Sequence, residues 1–274
     1  MTAPPVIAPA LSDLPPPPAG KSGWPWTEAS PSFPPRMPNG GEWPKISIIT
    51  PSFNQAIYLE ETIRSVLLQG YPNLEFFIID GGSNDGSVDI IRKYEPWLAG
   101  WVSEKDSGQS EAINKGFSRC TGEIFNWLCS DDLLTPGALA VVAAGFAEDK
   151  NCDVLAGACF CQYDEEPQKS EARSAKVDGW EKFPWHAAIW QPSCFFKRAL
   201  ISASLTQPVI NSEEKPALSS AVEATAGSFI LSFSTQMALN TASVNSWSRS
   251  GARVCAPVMA RINVSVLIGK WGFR

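Results

Sequence analysis

Between residues 45 and 200 the chain alternates short apolar runs with stretches whose apolar positions recur at helical spacing. Ile46 to Thr50 is a β-branched run closed by Pro51, the pattern of a buried strand. Tyr58 to Leu68 then places Leu59, Ile63, Val66 and Leu67 on one helical face, and Gly70-Tyr71-Pro72 stops that helix. Leu74 to Ile79 is a second strand, closed by Asp80-Gly81-Gly82. Ser87 to Tyr94 reads as a helix with Val88, Ile91 and Tyr94 inward. Leu98 to Val102 predicts a third strand, and Ser110 to Arg119 a helix with Ala112, Ile113 and Phe117 inward. Glu123 to Leu128 predicts a fourth strand, ending at Ser130-Asp131-Asp132. Pro136 suits the first turn of a helix running to Phe146, and Val154 to Phe160 a further strand. This rhythm predicts an α/β fold: a mostly parallel sheet with helices on both faces. Such sheets bind ligands outside the carboxyl ends of their strands. The polar punctuation falls at those ends: Ser52 and Asn54, Asp80, Asp106, Asp131 and Asp132.

The flanks break the rhythm. Residues 1–44 hold 13 of the 23 prolines, which predicts a disordered or extended arm. Trp24, Trp26 and Trp43 give that arm a means of packing its end on the domain. Residues 201–274 contain no aspartate, 13 serines and 10 alanines, and predict an irregular, weakly structured tail. The change in composition near Leu200 resembles a reading-frame shift or a truncation. Three zones follow: 1–44, 45–200 and 201–274.

The chain's 274 residues fit one or two domains, and 44% hydrophobic residues suffice for a core. The net charge of −6, with no clustered lysines and arginines, speaks against a nucleic-acid partner. A phosphate-bearing small ligand stays compatible, because a metal ion can supply the positive charge. Met1 to Gly20 lacks a basic segment followed by an apolar run, so no secretory signal is expected. Ile262 to Ile268 falls short of the roughly 20 apolar residues of a spanning helix and contains Asn263 and Ser265. The expectation is a cytoplasmic protein, with a place at the inner membrane surface left open. Seven cysteines and one histidine predict reduced, buried thiols rather than a zinc site. Cys159 and Cys161 do not have zinc-ligand spacing.

Four segments carry candidate chemistry, each with a plainer structural role beside it. Adjacent Asp131 and Asp132 after an apolar strand repel each other when buried, and Mg²⁺ or Mn²⁺ relieves that repulsion while taking further oxygens from a diphosphate. The plainer role is a solvated turn capping the next helix. Asp80 enters Gly81-Gly82-Ser83-Asn84-Asp85-Gly86-Ser87, a loop able to approach a nucleoside closely, or simply a turn capped by Asp85 or Ser87. Thr50-Pro51-Ser52-Phe53-Asn54 could line a base or serve as a loop and cap. Asp106-Ser107-Gly108-Gln109 opens the helix carrying Asn114 and Lys115, where ligand binding and capping are equally compatible. The single histidine, His186, sits near Trp180, Trp185 and Trp190, more readily an aromatic packing cluster than a sugar-stacking site. Two nucleotide folds are excluded: no G-x-G-x-x-G follows the first strand, and no G-x-x-x-x-G-K-[ST] occurs.

In order and spacing these segments resemble the family-2 glycosyltransferases. The resemblance runs through TPSFN (50–54), ETIRSVLLQGYPNLEFFIIDGGSNDGS (61–87), SEKDSGQSEAINKGF (103–117) and WLCSDDLLTPGAL (127–139), and ends near QPSCFFKR (191–198). It implies a GT-A-type, Rossmann-like sheet flanked by helices. It also implies metal-assisted, inverting transfer of a hexosyl-type sugar from a nucleotide-diphosphate donor such as a UDP-sugar. The acceptor would be a glycan, a lipid-linked saccharide or another hydroxyl, as in polysaccharide biosynthesis. By the same resemblance Pro51, Ser52 and Asn54 border the base and Asp80 recognises it. Asp106 contacts the nucleotide, with Gln109 and Asn114 near the pocket. Asp131 lies by the ribose, and Asp132 ligates Mg²⁺ or Mn²⁺ in a DXD-like motif. Two departures stand out. Cys129 occupies a position where many relatives carry Asn. Residues 201–274 lack the Asp expected of a catalytic base, offering only Glu213, Glu214 and Glu223, so the base is not identified. The alternative is a sugar-nucleotide-binding remnant that lacks the acceptor side.

Overall fold

In the computed structural model the described residues are 8–163, 166–173, 191–200, 254–255 and 265–270, with side chains described for 8–160 and 191–200. Four parallel strands form the centre: β1 (Ile46–Ser52), β2 (Leu74–Asp80), β3 (Gly100–Ser103) and β4 (Ile124–Trp127). Helices α1 (Ala56–Leu67), α2 (Ser87–Tyr94), α3 (Gln109–Arg119) and α4 (Ala138–Glu148) alternate with them. Three more strands, β6 (Val154–Ala156), β9 (Cys194–Lys197) and β10 (Val254–Cys255), complete a seven-stranded mixed sheet of order β10-β6-β9-β4-β1-β2-β3. β9 runs antiparallel to both β4 and β6. A second sheet, ordered β5-β11-β7-β8, comprises β5 (Asp132–Leu134), β11 (Ser265–Lys270), β7 (Ala158–Tyr163) and β8 (Glu166–Arg173).

β1 is buried along its whole length, which suits its run of Ile46, Ile48 and Ile49, with Ser47 and Thr50 buried among them. Ile46 and Ile48 face the cluster built with Leu59, Ile63 and Val66 of α1 and with α4, whereas Ile49 faces Ala112, Ile113 and Phe117 of α3. α3 can lie close on the sheet because Gly116 has no side chain. A Cβ there would stand 2.7 Å from Cγ2 of Ile49.

Three expectations are narrowed or corrected. Of the two alternatives for the arm, disordered or extended, residues 8–44 take the second and pack through Trp24, Trp26 and Trp43. They follow a fixed path, with Leu14, Trp26, Met37 and Trp43 buried in or against the domain. The tether is Arg64 of α1, 1% exposed. Its guanidinium donates to the carbonyls of Pro15 (2.8 Å), Pro25 (3.0 Å) and Trp26 (2.9 Å) and to the Tyr94 hydroxyl (3.2 Å). Phe33, Trp43 and Tyr71 pack edge to face at 4.8 to 5.7 Å. Proline fixes φ and removes an N–H but leaves its carbonyl free to accept, so a proline-rich segment can be held from outside. Next, Val154 to Phe160 is two strands in different sheets, divided at Gly157, whose N–H donates to the Ser193 carbonyl at 2.9 Å. Finally, α4 begins after Pro136, at Ala138, with Gly137 at φ 75° in the capping position. Of residues 201–274 the described parts are β10 and β11, and β11 places Gly269 opposite Asp132.

Candidate active site

The carboxyl ends of β1, β2 and β3 meet in one loop cluster. Ser52 and Asp80 are register partners, and the Gly81 N–H donates to the Ser52 carbonyl at 2.8 Å. Asp80 is fully buried. Its Oδ2 accepts from Gly82 N (3.1 Å), Ser83 N (2.9 Å) and the Ser103 hydroxyl (2.6 Å), while Oδ1 accepts from the Ser83 hydroxyl at 2.5 Å. Asn54, at φ 53°, ties the first loop to the second. Its N–H donates to Ser83 Oγ (2.8 Å) and its Oδ1 accepts from Asn84 N (3.0 Å). Asp85 takes the capping role expected of it, for two helices. It accepts from Ser87 N (3.0 Å) at the start of α2 and from Ala56 N (2.8 Å) at the start of α1. Pro51 is buried beside these residues. The buried Ser52 hydroxyl has no hydrogen-bond partner among the described residues.

Contacts continue from Asp80 to the acidic pair. The Asp106 carboxylate stands against Gly81, 3.1 Å from where a Cβ would lie, and accepts from Gly108 N at 2.9 Å. Gln109, first residue of α3, donates from Nε2 to Cys129 Sγ at 3.1 Å. The Cys129 Sγ and carboxylate oxygens of Asp131 and Asp132 all lie within 4.8 Å of one another. Asn114 is half-buried on α3, between the sheet-facing Ile113 and Lys115, which pairs with Glu104 (3.0 Å) and Glu111 (2.8 Å). Thus Ser52, Asn54, Asp80, Asp106, Gln109, Asp131 and Asp132 are joined by a chain of neighbours at one end of the sheet. Among the described residues, no hydrogen bond or ion pair joins Asn114 to that chain. His186 and its tryptophans, and Glu213, Glu214 and Glu223, lie outside the described residues.

The acidic pair is costly as it stands. Burial raises the Asp131 carboxyl above its ordinary value. Burial, and then the charge of Asp131, push Asp132 well above its own. Burial and the same two acids push the Cys129 thiol up. Two carboxylates sharing a dry site need a cation or a proton. The donor set, two carboxylates converging within reach of one ion, therefore fits a divalent metal.

The pair is aimed by polar residues of α1 and of the turn after it, which sequence periodicity did not single out. Thr62 Oγ1 donates to the Ser130 carbonyl (2.8 Å), Ser65 Oγ accepts from Leu134 N (3.2 Å), and Gln69 Nε2 donates to the Thr135 carbonyl (2.9 Å). Thr62 and Ser65, three positions apart, share one helix face, and Gln69 follows in the turn; only their burial in the fold shows their role. The arm adds a brace: Trp24 Nε1 donates to the Leu134 carbonyl at 2.8 Å. Gln191, just before β9, was likewise missed. Its Nε2 donates to the Trp127 carbonyl and its Oε1 accepts from the Cys129 thiol at 3.8 Å.

Several known proteins are similar to this chain. An uncharacterized glycosyltransferase of Rickettsia typhi is 33% identical over 129 residues, 47% of this chain and 39% of that protein. The putative teichuronic acid biosynthesis glycosyltransferase TuaG of Bacillus subtilis is 40% identical over 92 residues, 32% of this chain and 36% of that protein. The chain thus spans under two fifths of the length of these curated relatives. Among solved structures, S. aureus TarS 1–349 in complex with UDP-GlcNAc superposes with a TM-score of 0.55 at 18% identity, covering 84% of this chain and 59% of that one. At that identity the likeness concerns the fold. The profile of glycosyl transferase family 2 matches residues 47–205, more than half of the chain, and this protein belongs to that family.

Proposed function

We propose that this chain binds a nucleoside-diphosphate sugar, a UDP-sugar by preference, and transfers its glycosyl group with inversion to a hydroxyl of a saccharide or lipid-linked acceptor. The single observation that carries the reading is the continuous contact path from the Asp80 loop through Asp106 and Gln109 to Asp131 and Asp132. Family membership and the UDP-GlcNAc complex of TarS support it.

The roles follow from position. Pro51, Ser52 and Asn54 border the base, and the spare Ser52 hydroxyl has a hydrogen bond to give. Asp80 keeps capacity on Oδ1, which accepts one bond against three on Oδ2. Asp106 contacts the nucleotide with Gln109 and Asn114 near it, and Asp131 lies by the ribose. Asp132 would hold Mg²⁺ or Mn²⁺, which when bound supplies the charge that offsets the departing diphosphate. Inversion requires a carboxylate that takes the acceptor proton, and no described residue is assigned that role. Among the described residues no helix is long and apolar enough to cross a membrane.

A second reading, binding without turnover, is favoured by the absence of aspartate from residues 201–274. A thermal-shift screen of nucleotide sugars with and without Mn²⁺, followed by turnover assays on the donor that stabilises, tests both. Cation-dependent stabilisation with turnover supports transfer. The same stabilisation without turnover supports the second reading, and no nucleotide effect refutes both.

A further inference from the structure

Cys129 is placed where a cation between Asp131 and Asp132 would meet sulfur. Its Sγ shares the 4.8 Å cluster with both carboxylates. The thiol is partly exposed and held from two sides. Gln109 Nε2 donates to the sulfur at 3.1 Å, and the thiol donates to Gln191 Oε1 at 3.8 Å. Gln191 is itself fixed to the Trp127 carbonyl, so the sulfur's position is set by the end of β4 and the start of α3. Metal–sulfur and metal–oxygen bonds of about 2.3 and 2.1 Å put donors on one ion about 3–4.4 Å apart. The cluster needs only a small rotamer adjustment to reach that spacing. Carboxylates alone suit Mg²⁺ and Mn²⁺, whereas a thiolate favours softer ions.

We propose that Cys129 is a protein donor beside Asp132 at this cation site and shifts its preference from Mg²⁺ towards thiophilic divalent ions such as Co²⁺ and Zn²⁺. The inference rests on Asp132 as a metal ligand, the reading given above. On binding, the S–H bond breaks, a sulfur–metal bond forms and the proton leaves to solvent. The Asp132 carboxylate need not leave the ion, so sulfur adds to its oxygen rather than replacing it.

The test uses the full chain saturated with UDP and titrated with Co²⁺. The expected result is a sulfur-to-cobalt charge-transfer band in the near ultraviolet that saturates at one equivalent. Cys129→Ser should abolish the band, and the ratio of Co²⁺ to Mg²⁺ affinity should fall by at least the ~10-fold that loss of even a supporting ligand costs. Because other thiols are present, the variant identifies which one binds. A parent protein that binds UDP with Mn²⁺ yet shows no band overturns this inference alone. A band that survives in Cys129→Ser overturns it too. UDP binding that is indifferent to every cation overturns the functional reading along with it.

Discussion

Arg64→Met removes the tether of the N-terminal arm while keeping an unbranched side chain against Trp26. Arg64 is 1% exposed and its guanidinium lies 5.3 Å from the Trp26 ring centroid. Four hydrogen bonds disappear, three of them to arm carbonyls, and the Tyr94 hydroxyl keeps only its bond to Glu60 at 3.0 Å. A hydrogen bond to a charged group contributes roughly 1.5–3 kcal/mol. The sum is not additive, because the variant also escapes the desolvation of a buried cation. Three arm carbonyls left without this donor, at about 1–3 kcal/mol each and partly offset by that escape, give a net loss of about 3–5 kcal/mol. For a domain of this size each kcal/mol moves Tm by roughly 2–4 °C, so a drop of about 10 °C is expected. The assay is a thermal melt paired with limited proteolysis of residues 8–44. The parent arm should resist cleavage and the variant arm should be lost first. A variant with an unchanged melt and equal protection would refute the claim that Arg64 holds the arm.

Thr62→Val is nearly isosteric but leaves the Ser130 carbonyl without its donor. It should cost about 1–3 kcal/mol in a urea melt and weaken Mn²⁺-supported UDP binding by calorimetry. Gly116→Ala puts a Cβ 2.7 Å from Ile49 Cγ2 and should destabilise by about 1–3 kcal/mol, with binding intact at temperatures where the variant is folded. The acidic pair gives a pH signature. Because the folded Asp132 holds its proton above the value near 4 of an unfolded Asp, the folded state binds more protons in that window. Stability without metal should therefore fall as pH rises through the window. Asp132→Asn should flatten that slope in melts run with a chelator, and an identical slope in parent and variant contradicts the assignment.

The central sheet was legible because β1 and β2 are almost wholly buried, so both are rich in Ile and Phe, interrupted by Ser47 and Thr50 in β1 and by Glu75 in β2. α1, α2 and α3 were legible because each has one packed stripe. β5 was not: Asp132-Leu133-Leu134 is three residues long, and its pairing with β11 lies more than a hundred residues away. The arm's path was left open for a physical reason. Composition counts what a segment cannot bond internally, not the donors that Arg64, Trp24 and Tyr71 bring to its carbonyls or to its neighbours. Within the site, the candidate acids could be found from their places at strand ends. What held them could not, since Ser83, Ser103, Thr62 and Gln191 are ordinary polar residues until the fold aims them.

The most direct measurement is the affinity of UDP for the parent and for Asp132→Ala, each with Mn²⁺ and with chelator, by calorimetry. The parent should bind with Mn²⁺ and lose most affinity in chelator, while the variant binds weakly and equally in both. Glu223→Ala, changed outside the described residues, should behave as the parent does. Mn²⁺-dependent binding of equal strength in Asp132→Ala would contradict the assignment of this pair as the site that grips the diphosphate.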